Sequence, residues 1–145
     1  MHADAVVLSD YIPQLLNTMK ENIKLNTHVP LLNKNKIFTT LIDFNATERV
    51  TTPEFLKDGV DIIIGSEVNY YPEVAKILAN AINLYLNTDG VFYGISPTFR
   101  GQGNGVLVEE MTRLGFNVEL KFPNSPERVI DDAGEVLTCF TCTRK

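Results

Sequence analysis

Short apolar runs rich in Val, Ile and Phe alternate along this chain with longer stretches of helical period. The clearest run is V-D-I-I-I-G at 60–65, and Pro72 begins a long amphipathic stretch soon after it. Alternation of this kind is typical of α/β domains with a mostly parallel sheet, because each helix carries the chain back to start the next strand. We therefore predict an α/β fold and a single domain over residues 1–145.

The pattern predicts six strands and about four helices. The strands are predicted at 5–8, 37–44, 60–65, 91–96, 117–122 and 135–143. The helices are predicted to begin at Pro13 and Pro72, to form one turn at 51–56 capped by Thr52, and to cover 106–114.

Packing and connections can also be predicted. The continuous apolar run at 60–65 indicates a strand buried on both faces. Residues 87–90, N-T-D-G, are expected to form a turn that ends the helix from Pro72, and 97–105 is expected to form a glycine-rich loop. The last two strands are expected to pair as an antiparallel arm.

The charge balance limits the class of partner. The net charge is -5, and the 13 Lys and Arg residues are scattered, which argues against nucleic acid. No apolar stretch approaches the roughly 20 residues that a membrane-spanning helix needs. The first nine residues do not resemble a signal peptide. We expect a soluble protein of the cytoplasm or nucleus, with no membrane partner.

The two cysteines form a C-x-x-C, a spacing that in other settings indicates zinc or redox chemistry. Cys139 and Cys142 lie inside a predicted strand, where a separation of three places the two thiols on opposite faces. No second pair exists to complete a zinc site. We therefore predict structural cysteines and no metal.

Polar residues follow two of the predicted strands, at the sheet edge where ligands bind in open α/β sheets. Asp10 follows the first strand, and a carboxylate there can accept hydrogen bonds from both hydroxyls of a ribose. Glu67, Asn69 and Tyr70 follow the strand at 60–65. We expect these side chains to meet at one edge.

The two segments are A-V-V-L-S-D at 5–10 and D-I-I-I-G-S-E-V-N-Y-Y-P-E at 61–73. Together they resemble the seven-strand methyltransferases of the lysine-methyltransferase-like group, also called methyltransferase family 16. The resemblance covers nearly the whole chain. It implies a Rossmann-like sheet, S-adenosylmethionine as the cofactor and a protein side chain as the substrate.

The resemblance also implies which residues bind the cofactor. Asp10 is expected to bind the ribose. Asp43 and Phe44, at the end of the next strand, are expected beside the adenine. Ser66 and Glu67 are expected to contact the cofactor from the strand at 60–65.

An acidic-x-x-Tyr motif borders cofactor and substrate in this family, and here it corresponds to Glu67 and Tyr70. These two are the catalytic candidates that the resemblance implies. Most of the family has Asp at the acidic position, whereas the protein-histidine methyltransferase branch has Glu. S-E-V-N-Y-Y-P resembles that branch, as does the stretch S-P-T-F-R-G-Q-G-N-G-V, so the target is lysine or histidine.

Plainer interpretations of the same residues stay open. Asp10 fits an acid at a helix N-terminus, where the helix dipole favours it by roughly 0.3–1 kcal/mol. Glu67 and Tyr70 fit solvated loop residues. The G-Q-G-N-G stretch fits a flexible loop at the substrate side better than a phosphate-binding loop, because four residues separate it from its strand.

The beginning of the chain is short for this family. A ribose-binding acid lies about 20 residues beyond the glycine fingerprint in a nucleotide-binding unit, but only nine residues precede Asp10. We therefore expect a C-terminal portion of the domain that lacks the first strand and the cofactor loop, so that cofactor binding is weak or lost. The family's first strand lies between its second and fourth. The strand at 5–8 is then expected to pair directly with 60–65 or to be completed by another chain, with a homodimer possible through these edges.

The sequence is compatible with two main functions. The first is an enzyme, or part of one, that methylates a protein side chain. The second is an inactive interaction module that kept the sheet. A nucleotide-binding protein that uses G-Q-G-N-G is a third and weaker alternative.

Overall fold

The computed structural model describes residues 3–26, 36–121, 134 and 136–145, and within them helices and strands alternate as predicted. The strands are β1 (Val6–Asp10), β2 (Ile37–Leu41), β3 (Val60–Ser66), β4 (Leu86–Pro97), β5 (Phe116–Lys121) and β6 (Leu137–Arg144). The helices are α1 (Pro13–Leu25), α2 (Pro72–Tyr85) and α3 (Gly101–Arg113), with short 3-10 turns at Glu54–Lys57 and Thr98–Arg100. The α/β architecture is confirmed.

The strands form two sheets. β1 and β2 pair in parallel, and the second sheet has the order β3-β4-β6-β5. β3 and β4 are parallel, whereas β6 is antiparallel to both of its neighbours. The antiparallel arm is therefore confirmed, and the second sheet is mixed rather than mostly parallel. β1 and β3 are not paired in the described chain, so the first of the two alternatives for β1, direct pairing with 60–65, is wrong, and completion by another chain stays a prediction.

The hydrophobic core lies on one face of the second sheet, under α2 and α3. It consists of Ala75, Leu78, Ala79, Ile82, Leu86, Phe92, Leu107, Met111, Phe116, Phe140 and Cys142. Among the described residues no side chain before Leu56 is buried, and α1 buries none of its own. The β1-α1-β2 unit therefore has little core of its own.

β3 is not buried on both faces, which corrects the prediction for 60–65. Ile62 is 44% exposed and Ile64 is 79% exposed, on the face opposite the core. Successive strand residues point to opposite faces, so these two share one face. That face carries no helix in the described part of the chain, and the outer edge of β3 has no partner strand there.

Both long helices begin where proline predicts, because Pro at the first helical position has no N–H that needs a partner. The predicted turn at 87–90 is wrong: the chain passes from α2 directly into β4. β2 ends at Leu41, three residues earlier than predicted. Thr52 caps no helix, since the residue before the 3-10 turn is Pro53.

The predicted glycine-rich loop at 97–105 is also wrong, because 101–105 forms the first turns of α3. Gly115, with a φ of 88°, lies two residues beyond the end of α3. Most of the segment between the last two strands, 122–133 and 135, lies outside the described residues. No helix in the described ranges is long and apolar enough to cross a membrane.

Candidate active site

Asp10 lies at the carboxyl end of β1 and is half-buried. Its carboxylate Oδ1 accepts a hydrogen bond of 2.9 Å from the backbone N–H of Ile12, in the turn before α1. Its backbone oxygen accepts from the N–H of Ile42 at 3.1 Å, which ties the segment after β2 to the end of β1. Asp10 therefore has a local structural contact that uses one of its two carboxylate oxygens.

Asp43 and Phe44 follow β2 at the same edge of the first sheet. The exposed carboxylate of Asp43 accepts from the backbone N–H of Asn45 at 2.9 Å and from its side-chain amide at 3.0 Å. These two hydrogen bonds lower the pKa of the Asp43 carboxyl, so it is an anionic acceptor at neutral pH. Phe44 is half-buried and packs against the main core.

Glu67 directly follows β3 and has a left-handed backbone, with a φ of 53°. Its backbone N–H donates to the carbonyl oxygen of Ile95 in β4 at 2.8 Å. A positive φ is unusual for a residue with an ordinary side chain, and such strain is concentrated at active sites and ligand clamps. Glu67 is the one residue other than glycine with this conformation in the described ranges.

The other residues of the acidic-x-x-Tyr segment differ in solvent exposure. Tyr70 is 50% exposed, whereas Asn69 is 2% exposed. The side chain of Asn69 is therefore committed to the interior, and the phenol of Tyr70 lies where a substrate can reach it. Ser66, the last residue of β3, is exposed.

The structure places the candidate residues in two groups. Asp10 and Asp43 lie together at the carboxyl end of the first sheet, because β1 and β2 are parallel neighbours. Ser66 and Glu67 lie at the carboxyl end of β3 in the second sheet. No strand pairing joins β1 to β3 among the described residues, so the two groups belong to separate sheets.

A buried polar chain beside Glu67 was missed by the sequence analysis. The side-chain amide of Asn69 donates to the Oδ1 of Asn104 at 2.6 Å, and the amide of Asn104 donates to the backbone oxygen of Pro97 at 3.1 Å. The hydroxyl of Ser96 is fully buried in the same strand end and has no hydrogen-bond partner in the described part of the chain. The feature of the sequence that pointed to this pair is an asparagine in each of the two motifs, at 69 and at 104.

The cysteines lie as predicted on opposite faces of β6. Cys142 is fully buried in the core, whereas Cys139 is half-buried. Burial raises the pKa of the Cys142 thiol to about 12, which keeps it protonated. Within the described residues no group of three or more His, Cys, Asp or Glu side chains is arranged to hold a metal ion.

The candidate residues fit an adenosine-type cofactor by their chemistry. Asp10 keeps a second carboxylate oxygen beyond the one that Ile12 uses, and Asp43 is an anionic acceptor at the adjacent strand end. Phe44 supplies an aromatic surface next to Asp43. Hydrogen-bond acceptors beside an apolar ring suit the hydroxyls and the base of a nucleoside.

Comparison with protein families gives one match. Residues 1–102 match the family described as lysine methyltransferase. No curated protein matches the chain.

The fold is similar to that of several solved structures, two of them named as methyltransferases. A TehB-like S-adenosylmethionine-dependent methyltransferase from Corynebacterium glutamicum has a TM-score of 0.62 at 17% identity, over 97% of this chain and 68% of that one. The PH0226 protein from Pyrococcus horikoshii gives 0.65 at 12% identity, over 97% and 72%. The glycopeptide N-methyltransferase MtfA, solved with S-adenosylmethionine, gives 0.63 at 11% identity, over 97% and 72%.

At these identities the solved structures bear on the fold alone, and they agree with a Rossmann-like methyltransferase architecture. The family match and the S-adenosylmethionine-dependent enzymes among the similar structures indicate S-adenosylmethionine as the cofactor. The family match covers more than half of the sequence, from the strand that ends at Asp10 to the start of α3. The chain belongs to the lysine methyltransferase family.

Proposed function

We propose that this chain takes part in S-adenosylmethionine-dependent methylation of a side-chain nitrogen in a protein substrate, lysine or histidine. The family assignment favours lysine. Glu67 in place of the more frequent Asp favours histidine, on the resemblance given above. The observation that carries the proposal is the strained, left-handed Glu67 at the carboxyl end of β3.

We assign the cofactor to residues at the carboxyl ends of three strands, β1, β2 and β3. Asp10 would accept hydrogen bonds from the ribose hydroxyls, and Asp43 with Phe44 would border the adenine. Ser66 and Glu67 would contact the cofactor from β3. S-adenosylmethionine, when bound, supplies a methyl group already activated by its sulfonium.

The remaining chemistry falls to Glu67 and Tyr70. A lysine ammonium must lose a proton before its nitrogen can attack a methyl group, and an imidazole must present the correct nitrogen. The carboxylate of Glu67 can accept that proton or orient the nitrogen by a hydrogen bond. Tyr70, half-exposed beside it, would form one wall of the substrate pocket. Most of the catalytic effect is then alignment of the nitrogen with the methyl group.

The target nitrogen can be identified without knowing the substrate protein. The chain is incubated with tritium-labelled S-adenosylmethionine and a library of peptides that contain lysine or histidine, and the products are hydrolysed to amino acids. We expect label in methyllysine or methylhistidine, and at least a tenfold decrease for Glu67→Gln. Asp89→Ala, an exposed carboxylate near the start of β4, is the matched control. Absence of label, or equal label from Glu67→Gln, contradicts the proposal.

A second candidate function is an inactive interaction module. It is favoured by the exposed Ile62 and Ile64 beside the open edge of β3, and by the absence of buried residues before Leu56 in the described ranges. Tyr93, 47% exposed on the neighbouring strand, extends the same apolar face. In this function a second copy of the chain covers the face and pairs with the edge, because unpaired strand edges are templates for association.

Sedimentation analysis distinguishes this candidate from a monomeric protein. The interaction module predicts a dimer that Ile64→Lys dissociates. Tyr11→Lys, which changes a residue that is 67% exposed and follows β1 in the other sheet, is predicted to leave the dimer intact. A wild-type chain that is monomeric, or a dimer that survives Ile64→Lys, rejects association through this edge.

A further inference from the structure

The glycine-rich stretch at 101–105 has no role in the methyl transfer proposed above. It forms the first turns of α3, where Gly103 is buried. A Cβ atom added to Gly103 would overlap the backbone oxygen of Asn69, whereas one added to Gly105 would have nothing within 4 Å. The backbone of α3 therefore packs directly on the segment that joins β3 to α2, and the close approach is at Gly103.

The amide of Asn104 is oriented by its backbone partner. The oxygen of Pro97 can only accept a hydrogen bond, so the NH₂ group of Asn104 must face it, at 3.1 Å. The Oδ1 of Asn104 then faces Asn69, whose NH₂ group donates to it at 2.6 Å. Asn104 is 8% exposed and Asn69 is 2% exposed, so water does not compete strongly for these groups. The two hydrogen bonds therefore run in the same direction: Asn69 donates to Asn104, and Asn104 donates to the backbone of β4.

The segment that carries the catalytic candidates is held at two points. The backbone N–H of Glu67 bonds to Ile95 in β4, and the side chain of Asn69 bonds to α3 two residues later. Tyr70 follows immediately. A hydrogen bond from the backbone and one from the side chain, made to different elements, fix both the position and the twist of this short segment. The left-handed φ of Glu67 requires such support.

We propose that Asn69 and Asn104 are positioning residues that hold Glu67 and Tyr70 in place for substrate. Gly103 allows the approach of α3 that makes their hydrogen bond. The catalytic role of this pair rests on the function proposed above. Its structural role, a coupling between Asn104 and the conformation of Glu67, is measurable without cofactor or substrate.

Amide hydrogen exchange of the full chain tests the coupling. In Asn104→Ala we expect the Glu67 amide to exchange at least tenfold faster, with the amides of β5 unchanged. Gln102→Ala, an exposed residue of the same helical turn, is the matched control and should change neither. Asn104→Asp keeps an oxygen that faces Asn69 but places a second acceptor against the oxygen of Pro97, so it should lose protection as Asn104→Ala does. Should Asn104→Ala fail to fold, Asn104→Ser gives the same comparison.

Two results would overturn the proposal. The first is a Glu67 amide whose exchange does not change in Asn104→Ala. The second is an equal acceleration in β5, which would indicate general destabilisation rather than positioning. Affinity for S-adenosylhomocysteine gives a separate readout, and we expect it to fall at least fivefold in Asn104→Ala and not in Gln102→Ala. A wild-type chain that binds no S-adenosylhomocysteine counts against the proposed function alone, since the exchange result decides the coupling independently.

Discussion

The backbone N–H of Glu67 donates to the carbonyl oxygen of Ile95 at 2.8 Å while Glu67 holds a φ of 53°. The hydrogen bond ties the residue after β3 to β4 in a conformation that an ordinary side chain avoids. A left-handed conformation costs roughly 1–2 kcal/mol for such a residue. Glycine would avoid this cost, so the glutamate at this position is explained better by its side chain than by the fold.

Replacement of Glu67 by glycine should therefore separate stability from activity. We expect Glu67→Gly to leave the free energy of unfolding unchanged or to raise it by up to about 1 kcal/mol, since relief of the strain offsets the added flexibility of the unfolded chain. Methyl transfer should be lost. Urea denaturation measures the first effect, with Glu48→Gly, an exposed glutamate in a loop without positive φ, as the control. A Glu67→Gly chain that is clearly less stable than Glu48→Gly would show that the side chain has a structural role instead.

Two glycines of one motif should respond in opposite directions to alanine. Gly103→Ala forces a methyl group against the backbone of Asn69 and should destabilise the fold by about 1–3 kcal/mol, as overpacking does. Gly105→Ala meets open space in the same helix and should stabilise by roughly 0.5–1 kcal/mol, because glycine is a poor helix former. Thermal and urea denaturation of the two variants give the comparison. Equal effects would mean that α3 does not pack on Asn69 as described.

Arg144 connects the last strand to the end of α2. Its guanidinium donates to the side-chain and backbone oxygens of Asn83, both at 2.8 Å, and to the backbone oxygen of Leu86 at 3.1 Å. It also lies over the ring of Phe116, 4.8 Å from the centroid. Lysine cannot reproduce this planar set of contacts.

Arg144→Lys should accordingly lower the free energy of unfolding by about 1.5–3 kcal/mol, the range for hydrogen bonds to charged groups. Arg113→Lys is the control, because Arg113 forms an exposed ion pair with Glu110 within α3, and such pairs contribute roughly 0.2–1 kcal/mol. Chemical denaturation of both variants tests the difference. A loss for Arg144→Lys no greater than that for Arg113→Lys would contradict this assignment.

The two cysteines should differ in reactivity and in their effect on stability at high pH. Burial raises the pKa of Cys142 from 9.0 to about 12, so the folded state keeps the proton that the unfolded state releases first. The contribution of this thiol is fully present below pH 9 and is lost as the pH rises from about 9 to 12. Wild type should therefore lose more stability over this range than Cys142→Ala.

At pH 8, iodoacetamide should label Cys139 and leave Cys142 unmodified until the chain unfolds, whereas equal labelling would contradict the burial of Cys142.

The parts of the fold that depend on local chemistry could be predicted from the sequence. Pro13 and Pro72 begin their helices because the first helical position needs no N–H. The period of two in β6 predicted that Cys139 and Cys142 lie on opposite faces. The residue types at the strand ends identified candidate residues, but the expectation that Asp10, Glu67 and Tyr70 share one sheet edge is not met, because β1 and β3 lie in separate sheets of the described chain.

The parts that depend on distant neighbours could not be predicted. The run at 60–65 reads the same whether or not a second layer covers its outer face, so the exposure of Ile64 was missed. Gly103 lies in a helix because α3 packs on Asn69, and this contact outweighs the low helix propensity of glycine. The hydrogen bond between Asn69 and Asn104 joins residues 35 positions apart, and no local pattern indicates such a pair.

The most direct test of the methyltransferase account is calorimetric titration of the 145-residue chain with S-adenosylhomocysteine. Asp10→Asn keeps an oxygen for the N–H of Ile12 and removes one acceptor for the ribose, so it separates the structural contact from the cofactor contact. We predict binding by wild type and by Asp89→Ala, affinity lowered by about 10-fold to 150-fold in Asp10→Asn, as expected for a lost charged hydrogen bond, and no detectable binding in Asp10→Ala. A folded wild-type chain that does not bind, or binding that Asp10→Ala leaves unchanged, would contradict the account.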